Sequence, residues 1–294
     1  AGLMTITTLS TGYGDDQVTV NLAAASDGAF VLDTQGPYDN NVAATDSDIV
    51  NARGSSLGLN ISTGQGIDYI VGGRGIDLIN SGDDLDYIFG SDGADEINAG
   101  TDAARDFVVG DHGFFEYIVG AVTKRFYTTD TPTAGGDPIV DGFLEFGASG
   151  ILKSIGTSSP AIGGQDDIVT GDGPDVVFGG SRNDDINAGG TDGSADVLVG
   201  DNGFAVFDAA GVLMEVRTTT PGTGGSDLLL AGEGDDVVFG GVGEDFINVD
   251  RAGVQVGADT GRDVIVGDNG FALFDNSGGS SLLRRIETSD PVDG

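Results

Sequence analysis

Aliphatic side chains recur at a fixed interval along much of this chain. Ile70, Ile79, Ile88 and Ile97 stand nine residues apart, each inside a short apolar run between glycine-rich segments. Short apolar runs bounded by Gly, Asp and Asn are typical of strands joined by turns, because Gly and Asp form helices poorly. The spacing therefore predicts short strands that each turn one aliphatic side chain inward, with a loop between them.

An aspartate precedes each of these aliphatic residues by two positions, in three separate blocks. The aspartates are Asp68, Asp77, Asp86 and Asp95, then Asp166, Asp175 and Asp184, then Asp227, Asp236 and Asp245. Two nine-residue units make one turn of 18 residues, so alternate units are expected to stack on the same edge. Asp86 should lie next to Asp68, and Asp95 next to Asp77.

Each block ends in the same element, Asp-x-aliphatic-Val-Gly-Asp. Its copies begin at Asp106, Asp196 and Asp263. Asp263 lies 18 residues beyond Asp245, which predicts that it continues the edge of Asp245. Asp106 and Asp196 follow Asp86 and Asp175 by 20 and 21 residues, which predicts one turn plus a small loop insertion.

Alternating apolar and polar residues after each terminal element predict β-hairpins. Phe204 to Thr218 has two such runs around a turn near Gly211, and residues 143–157 match it position for position. Residues 114–128 and 271–288 are variants, and Asp27 to Asp33 is interpreted as a degenerate copy. Leu3, Ile6 and Thr8 match Leu283, Ile286 and Thr288. From this match we expect that the chain is one length of a longer periodic array. Cleavage of a longer precursor protein would produce the same match between the two ends.

The net charge of the chain limits the kinds of partner that it can bind. Acidic residues number 48 against 12 basic ones, giving a net charge of −36, and most of the acids are Asp. This charge repels nucleic acid and anionic membrane surfaces, and residues 107–127, the most apolar stretch, are too interrupted by charges to span a membrane. The first ten residues show no secretory signal, and the absence of Cys excludes disulfides. Crowded carboxylates need external cations, and hard oxygen ligands favour Ca²⁺.

The nine-residue unit resembles the Gly-Gly-x-Gly-x-Asp-x-aliphatic-x repeat of RTX (repeats-in-toxin) proteins. This resemblance implies an all-β fold: a calcium-loaded parallel β-roll, or β-solenoid, of nonapeptide repeats interrupted here by β-hairpin cassettes. Two loops depart from the pattern, since Arg182 replaces a loop glycine and Ala161-Ile162 replaces the opening glycine pair. An EF-hand is excluded, because no Asp-x-Asp-x-Asp-Gly loop with a closing Glu is present.

Several calcium ions are expected between stacked loops, held by glycine carbonyls and completed by an aspartate. The candidate aspartates are Asp68, Asp77, Asp86, Asp95, Asp106, Asp166, Asp175, Asp184, Asp196, Asp227, Asp236, Asp245 and Asp263. The candidate glycines are Gly64, Gly66, Gly73, Gly75, Gly171, Gly173, Gly232, Gly234, Gly241 and Gly243. A single row of aliphatic residues makes a thin core, so metal binding should contribute to the folding free energy.

The expected organisation alternates roll blocks with cassettes. Its segments are a degenerate repeat or partial cassette at 1–63, roll blocks at 64–113, 161–203 and 223–270, two cassettes at 114–160, one at 204–222, and a partial cassette at 271–294.

Three sets of residues leave alternatives open. Asp111, Asp201 and Asp268 could bind ions or hold the turn that enters each hairpin. The aromatic pairs could form a docking or sugar-stacking surface, or pack the hairpins onto the roll and cap its end; these pairs are Phe114/Tyr117, Phe143/Phe146, Phe204/Phe207 and Phe271/Phe274. His112, the single histidine, replaces the Asn of its sister motifs and is interpreted as a spacer.

These features predict a calcium-binding structural segment of a secreted or cell-surface protein, such as an adhesin, surface layer or extracellular filament. The resemblance implies export, commonly by type I secretion, with folding on Ca²⁺ outside the cell. The expected partners are neighbouring repeats or other copies of the chain, or a glycan or surface ligand. The alternatives are the C-terminal calcium-binding module of an exported enzyme or toxin, and a glycan-binding module. No catalytic constellation is recognisable, so we expect no enzymatic activity.

Overall fold

The computed structural model describes residues 6–23, 28–35, 46–119, 122–128, 151–256, 261–276 and 282–289. Within these ranges the chain forms 25 strands, and no helix there could cross a membrane. In chain order the strands are β1 Ile6–Ser10, β2 Gln17–Thr19, β3 Ala29–Asp33, β4 Ile49–Asn51, β5 Leu59–Gln65, β6 Tyr69–Val71, β7 Leu78–Asp83, β8 Tyr87–Phe89, β9 Glu96–Asn98, β10 Phe107–Val109, β11 Gly113–Val119, β12 Val122–Tyr127, β13 Ile151–Thr157, β14 Asp167–Val169, β15 Val176–Phe178, β16 Asp185–Asn187, β17 Val197–Val199, β18 Gly203–Phe207, β19 Leu213–Thr218, β20 Leu228–Leu230, β21 Val237–Phe239, β22 Phe246–Ile247, β23 Val264–Val266, β24 Gly270–Asp275 and β25 Leu282–Thr288.

Two parallel sheets form a β-roll, because the chain visits them alternately, one strand at a time. Sheet A has the order β1-β3-β5-β7-β9-β14-β16-β20-β22, and sheet B the order β2-β4-β6-β8-β10-β15-β17-β21-β23. In sheet B, Tyr69 of β6 lies opposite Tyr87 of β8, so one coil takes 18 residues here. The predicted parallel β-roll and the stacking of alternate units are confirmed.

The space between sheets A and B is filled by the periodic aliphatic residues. Ile70 and Ile88 of sheet B and Ile79 of sheet A are fully buried, and Ile97 is 1% exposed. From β2 to β21, each three-residue strand of the roll contributes its central residue to this inner core, because neighbouring side chains on a strand point to opposite faces. The inward row predicted from the nine-residue spacing is therefore confirmed.

The hairpins form a third sheet of their own. Sheet C is antiparallel in the described strands and has the order β12-β11-β13-β18-β19-β24-β25. Strand β13 pairs with both β11 and β18, so neighbouring cassettes join edge to edge. The predicted turn at Gly211 closes β18 and β19, and its φ of 77° is in the left-handed region that favours glycine. Residues 143–150, the first half of one cassette, lie outside the described residues.

Sheet C packs against the outer face of sheet B and creates a second core. Phe89 and Phe178 of sheet B are fully buried against hairpin residues that include Phe115, Ala205 and Phe207. From β6 onward sheet B is therefore covered on both faces, which explains why these strands are apolar at all three positions. The sequence predicted one thin core, whereas the structure has two.

The aromatic pairs of the cassettes divide between the two faces of sheet C. Tyr117, Phe207 and Phe274 are buried against sheet B, whereas Phe114, Phe204 and Phe271 lie on the opposite face. The hairpins thus pack along the side of the roll and do not cap its end. Phe143 and Phe146 lie outside the described residues.

Two sequence interpretations were wrong. Residues 29–33, interpreted as part of a degenerate hairpin, form β3 in parallel sheet A, where buried Leu32 fills the inner core. Ile6 lies in β1, which pairs in parallel with β3, and so does not repeat the antiparallel position of Ile286 in β25. Both segments satisfy the pattern of a coil strand as well as that of a hairpin, because both elements need alternating apolar residues. Leu3 and Asp27 lie outside the described residues.

We predict that Phe115→Ala will destabilise the protein far more than Phe114→Ala on the same strand. The Phe115 ring lies 4.5 Å from Phe89 and 5.1 Å from Tyr87 between ring centroids, whereas Phe114 faces outward. Burial in the second core predicts a loss of about 3–5 kcal/mol in the free energy of unfolding for Phe115→Ala. Urea unfolding in saturating calcium measures both variants, and equal losses would contradict the assignment of the two faces.

Candidate metal site

The aspartates that precede the strands form two continuous rows along the roll. The A ladder precedes sheet A strands and consists of Asp77, Asp95, Asp166, Asp184, Asp227 and Asp245. The B ladder precedes sheet B strands and consists of Asp16, Asp48, Asp68, Asp86, Asp106, Asp175, Asp196, Asp236 and Asp263. All thirteen predicted aspartates therefore belong to one of the two ladders.

One carboxylate oxygen of each rung is used to join neighbouring coils. The Asp68 N–H donates to Asp86 Oδ1 at 2.9 Å, and the Asp86 N–H donates to Asp106 Oδ1 at 2.9 Å. In the A ladder the Asp77 N–H donates to Asp95 Oδ1 at 2.8 Å. The same bond links each successive rung, so the carboxylates replace backbone pairing at the point where each strand begins.

The second carboxylate oxygen, Oδ2, takes no part in these hydrogen bonds between coils. The Oδ2 atoms of six rungs are buried and accept no hydrogen bond; these rungs are Asp16, Asp95, Asp166, Asp184, Asp227 and Asp245. In the B ladder, hydroxyl groups of Thr34, Thr63, Ser81 and Thr170 interact with the carboxylates of Asp48, Asp68, Asp86 and Asp175. A buried carboxylate oxygen without a partner carries a desolvation cost that a bound cation would offset. The A ladder therefore presents a row of oxygens available to a cation.

In the A ladder these oxygens converge with backbone carbonyls. A Cβ placed on Gly90 would lie 2.2 Å from the Gly110 carbonyl oxygen and 2.7 Å from Asp95 Oδ2. Only glycine leaves this space open. The same cradle occurs at six successive coils, at Gly72, Gly90, Gly110, Gly179, Gly200 and Gly240.

Burial favours the protonated form of several ladder carboxyls when no cation is present. Burial raises the pKa of Asp86 to about 9, of Asp106 to about 9 and of Asp95 to about 10, from an ordinary 3.8. The neighbouring carboxylates Asp106, Asp175 and Asp166 raise them further. A cation would reverse this effect, because it favours the ionised form.

The residues present fit a hard, oxygen-seeking cation. A buried carboxylate oxygen and a carbonyl oxygen meet at each A-ladder cradle, and oxygen donors of these two kinds are the ligands of Ca²⁺. No three His, Cys, Asp or Glu side chains of the described residues group to hold one ion, so backbone carbonyls would be needed as well. Asp95 and the Gly110 carbonyl would hold one ion, and Asp184 and the Gly200 carbonyl another.

The two loops that depart from the repeat keep their cradles. Asp166 Oδ2 and the Gly179 carbonyl meet at Gly110, although Ala161-Ile162 replaces the glycine pair of that unit. Arg182 has a φ of 79°, in the same left-handed region as Gly243 at the equivalent loop position, where φ is 124°. The backbone thus follows the loop path in both places.

The predicted glycines line the loops next to the ladders, and their proposed role as carbonyl ligands stays a prediction. The Gly73 N–H points at the ladder and donates to Asp77 Oδ2 at 2.6 Å. The carbonyls that meet the A-ladder oxygens belong to residues absent from the candidate set: Gly90, Gly110, Gly179, Gly200, Gly240 and Gly267. In the sequence, each of these residues can be recognised as the first glycine after a run of three apolar residues.

Two further sets of residues were misread or missed. Asp263 follows Asp236 in the B ladder, so its predicted place beyond Asp245 was wrong. The loop that contains the bridge between Val249 and Gln255 lengthens that coil. Asp16 and Asp48 extend the B ladder and were missed, although Asp48 precedes Asp68 by 20 residues, the spacing of Asp86 and Asp106.

Asp111 and Asp201 hold the loops from which the hairpins emerge. Asp111 accepts bonds from the Gly164 N–H at 2.9 Å, the Ser181 N–H at 2.6 Å and the Ser181 hydroxyl at 2.8 Å. Asp201 accepts the Gly225 N–H at 2.7 Å and the Val242 N–H. Because donors occupy these carboxylates, the turn-holding alternative is favoured over ion binding.

His112 joins two loops and is more than a spacer. Its Nε2 lies 2.5 Å from Asp92 Oδ1 and its Nδ1 lies 2.9 Å from the Thr128 hydroxyl. Asn202 stands at the equivalent position and donates to the Gly180 carbonyl at 2.9 Å. Both residues therefore tie a hairpin base to a neighbouring loop.

A parallel β-roll with two oxygen-lined ladders defines a class of metal-binding repeat protein. The family model described as "RTX calcium-binding nonapeptide repeat (4 copies)" matches residues 62–103, 161–194 and 221–251. The repeat blocks of this chain belong to that family, and the chain carries a calcium-binding repeat module. No curated protein and no solved structure matches the chain.

We predict that Asp95→Asn will weaken calcium binding while Asp208→Ala, in the turn of the β18–β19 hairpin, will not. Asn keeps an oxygen for the Asp77 N–H but removes the charge at the cradle, so affinity for at least one ion should fall about tenfold or more. Asp208→Ala removes the hydrogen bonds from the Ala210 and Val212 N–H groups and should cost about 1–3 kcal/mol of stability. Calorimetric calcium titration and thermal melts separate the two effects. Unchanged calcium binding in Asp95→Asn would contradict the site.

A second prediction concerns the stability of the metal-free protein. The folded pKa values of Asp86, Asp95 and Asp106, about 9 to 10, exceed the ordinary 3.8, so the folded state binds more protons than the unfolded state between these values. Their contribution is therefore full below pH 3.8 and is lost as pH rises toward 10. After calcium removal on a chelating resin, the β signal that remains in circular dichroism should decrease from pH 5 to pH 7 to pH 9, and an increase with pH would refute this.

Proposed function

We propose that this chain is a calcium-stabilised structural segment of a secreted or cell-surface protein, with no catalytic role. The observation that carries the proposal is the continuity of sheet C. Hairpins from separate loops pair edge to edge along the roll, so the described residues form one three-layer array. A layered array that adds strands coil by coil is suited to length and rigidity.

Calcium would act as the folding switch of this segment. Without cations at neutral pH, folding would have to protonate the buried ladder carboxyls, whereas in the open chain they stay ionised and repel one another. The whole chain carries a net charge of −36. In a low-calcium cytosol the repulsion favours an open chain, which suits export in the unfolded state. Millimolar calcium outside the cell would then close the ladders, because binding free energy becomes folding free energy.

A module of an exported enzyme or toxin is the second candidate, since the RTX repeat match is compatible with it as well. Sheet C favours the structural role, because the cassettes use their aromatic side chains to pack on the roll. The two candidates differ in the rest of the gene: a catalytic domain would support the module, and further cassettes of this kind would support the structural array.

We predict that calcium removal will abolish most of the β signal in circular dichroism. Addition of Ca²⁺ should restore the signal, whereas Mg²⁺ should not, because Mg²⁺ is smaller and demands near-octahedral geometry with retained waters. A chelated sample that keeps its full β signal and melting temperature would refute the switch. Electron microscopy of the calcium-loaded material then tests the structural role, for which regular filaments or lattices are expected.

A further inference from the structure

The outward face of sheet C carries a regular series of cations. We call it the cationic face and define it by Arg125, Lys153, Arg217 and Arg285, which lie on β12, β13, β19 and β25. These strands are every second strand in the order of the sheet. Their side chains are 38%, 44%, 49% and 56% exposed, so each one can reach a partner.

The cations are held in place by the side chains beneath them. The guanidinium carbons lie over phenylalanine rings: Arg125 at 4.2 Å from the Phe114 centroid, Arg217 at 4.9 Å from Phe204, and Arg285 at 5.3 Å from Phe271. Such stacking fixes the direction of a long side chain, which lowers the entropy lost on binding. The outer phenylalanines thus support the cations.

The charge balance of this face differs from that of the chain. Its carboxylates Glu116, Glu215 and Glu287 pair with the four cations, and Arg284 of β25 pairs with Asp275 of β24, so positive groups outnumber negative ones by one. In the whole chain, acidic residues outnumber basic ones 48 to 12. The cationic face is therefore complementary to an acidic surface.

The opposite side of the molecule presents such a surface. Glu96, Asp167 and Asp185 lie directly opposite one another on β9, β14 and β16, on the outer face of sheet A. We call them the acidic row. Like charges in direct register repel, so this row favours a neutralising partner. Arg251 pairs with Asp185 at one end of the row.

The two faces have matching spacings. Alternate strands are about 9.6 Å apart, which is the separation of the cations and also that of Glu96 and Asp185. The match has a structural cause. Hairpins leave the roll after β10, β17 and β23, which is after every second coil, and the hairpins β18/β19 and β24/β25 each add two strands to sheet C. The register is therefore preserved along the array.

We propose that the cationic face of one copy docks on the acidic row of a second copy, sheet against sheet. This inference rests on the proposed structural function and names its partner. Because the two faces lie on opposite sides of the three layers, the contact is heterologous and can repeat without closing. Seven strands of about five residues give roughly 34 by 17 Å, or about 1,100 Å² in total, the low end of specific interfaces. Repetition along a longer array would strengthen it.

Charge reversal tests the contact. Arg217→Glu and Asp167→Lys each place like charges across the interface, so in saturating calcium each variant alone should associate about tenfold more weakly than the unchanged chain. An equimolar mixture of the two should regain association, because the unaltered cationic face of Asp167→Lys can dock on the unaltered acidic row of Arg217→Glu. In the other contact between the two variants, the introduced charges are opposite in sign. Sedimentation velocity over a concentration series measures all three samples.

Matched controls separate the interface from general charge effects. Glu244→Lys and Arg74→Glu change charge by the same amounts at exposed loop positions outside both faces and should leave association unchanged. Calcium-loaded melting temperatures verify folding, and Glu96→Lys replaces Asp167→Lys if that variant does not fold.

Three results would overturn the interface. The first is that the variants alone associate as strongly as the unchanged chain. The second is that the mixture associates no more strongly than its components. The third is that the chain folds on calcium but stays monomeric and binds alginate through Arg217. That result would mean that the cationic face binds an anionic polymer. All three leave calcium-dependent folding intact, which the dichroism experiment tests separately.

Discussion

The hydrogen bond from each ladder N–H to the Oδ1 of the next aspartate is the constraint on which the roll depends. It fixes the register of both sheets where each strand begins, and it requires a carboxylate deep inside the loops. The other oxygen is then buried as well. Fold and metal content are consequently one equilibrium, because the group that aligns the coils is the group that needs the cation.

The hairpins relieve a weakness of this design. A roll with three-residue strands offers one inward side chain per strand, which is little apolar burial for a chain containing 53 glycines. Sheet C adds an aromatic layer over sheet B, where Phe115 contacts Tyr87 and Phe89. This second core contains no ladder carboxylate. The ladders therefore control whether the roll closes, and the aromatic layer contributes stability once it has closed.

Much of the fold could be predicted because the repeat fixes local geometry. The nine-residue spacing was sufficient for the stacking of alternate units, the inward aliphatic row and the phase of the thirteen aspartates, and the resemblance to the RTX repeat supplied the parallel roll. The spacing failed at Asp263, since sequence distance alone cannot show whether extra residues belong to a loop or a strand. It also missed the side on which the hairpins pack, which is set by the outer residues of sheet B. The cradle carbonyls were missed because backbone atoms carry no sequence signal beyond glycine itself.

The loops from which the hairpins emerge show how the aspartate ladders and the hairpins fit into one fold. An inserted cassette separates Gly110 from Asp166, two residues that must still meet at the same cradle. Asp111 restores the connection by binding the returning loop at Gly164 and the next coil at Ser181. Asp201 does the same with Gly225 and Val242. A donor-bound aspartate beside a cation-seeking one therefore lets the chain leave the roll for a whole hairpin and return without breaking the ladder.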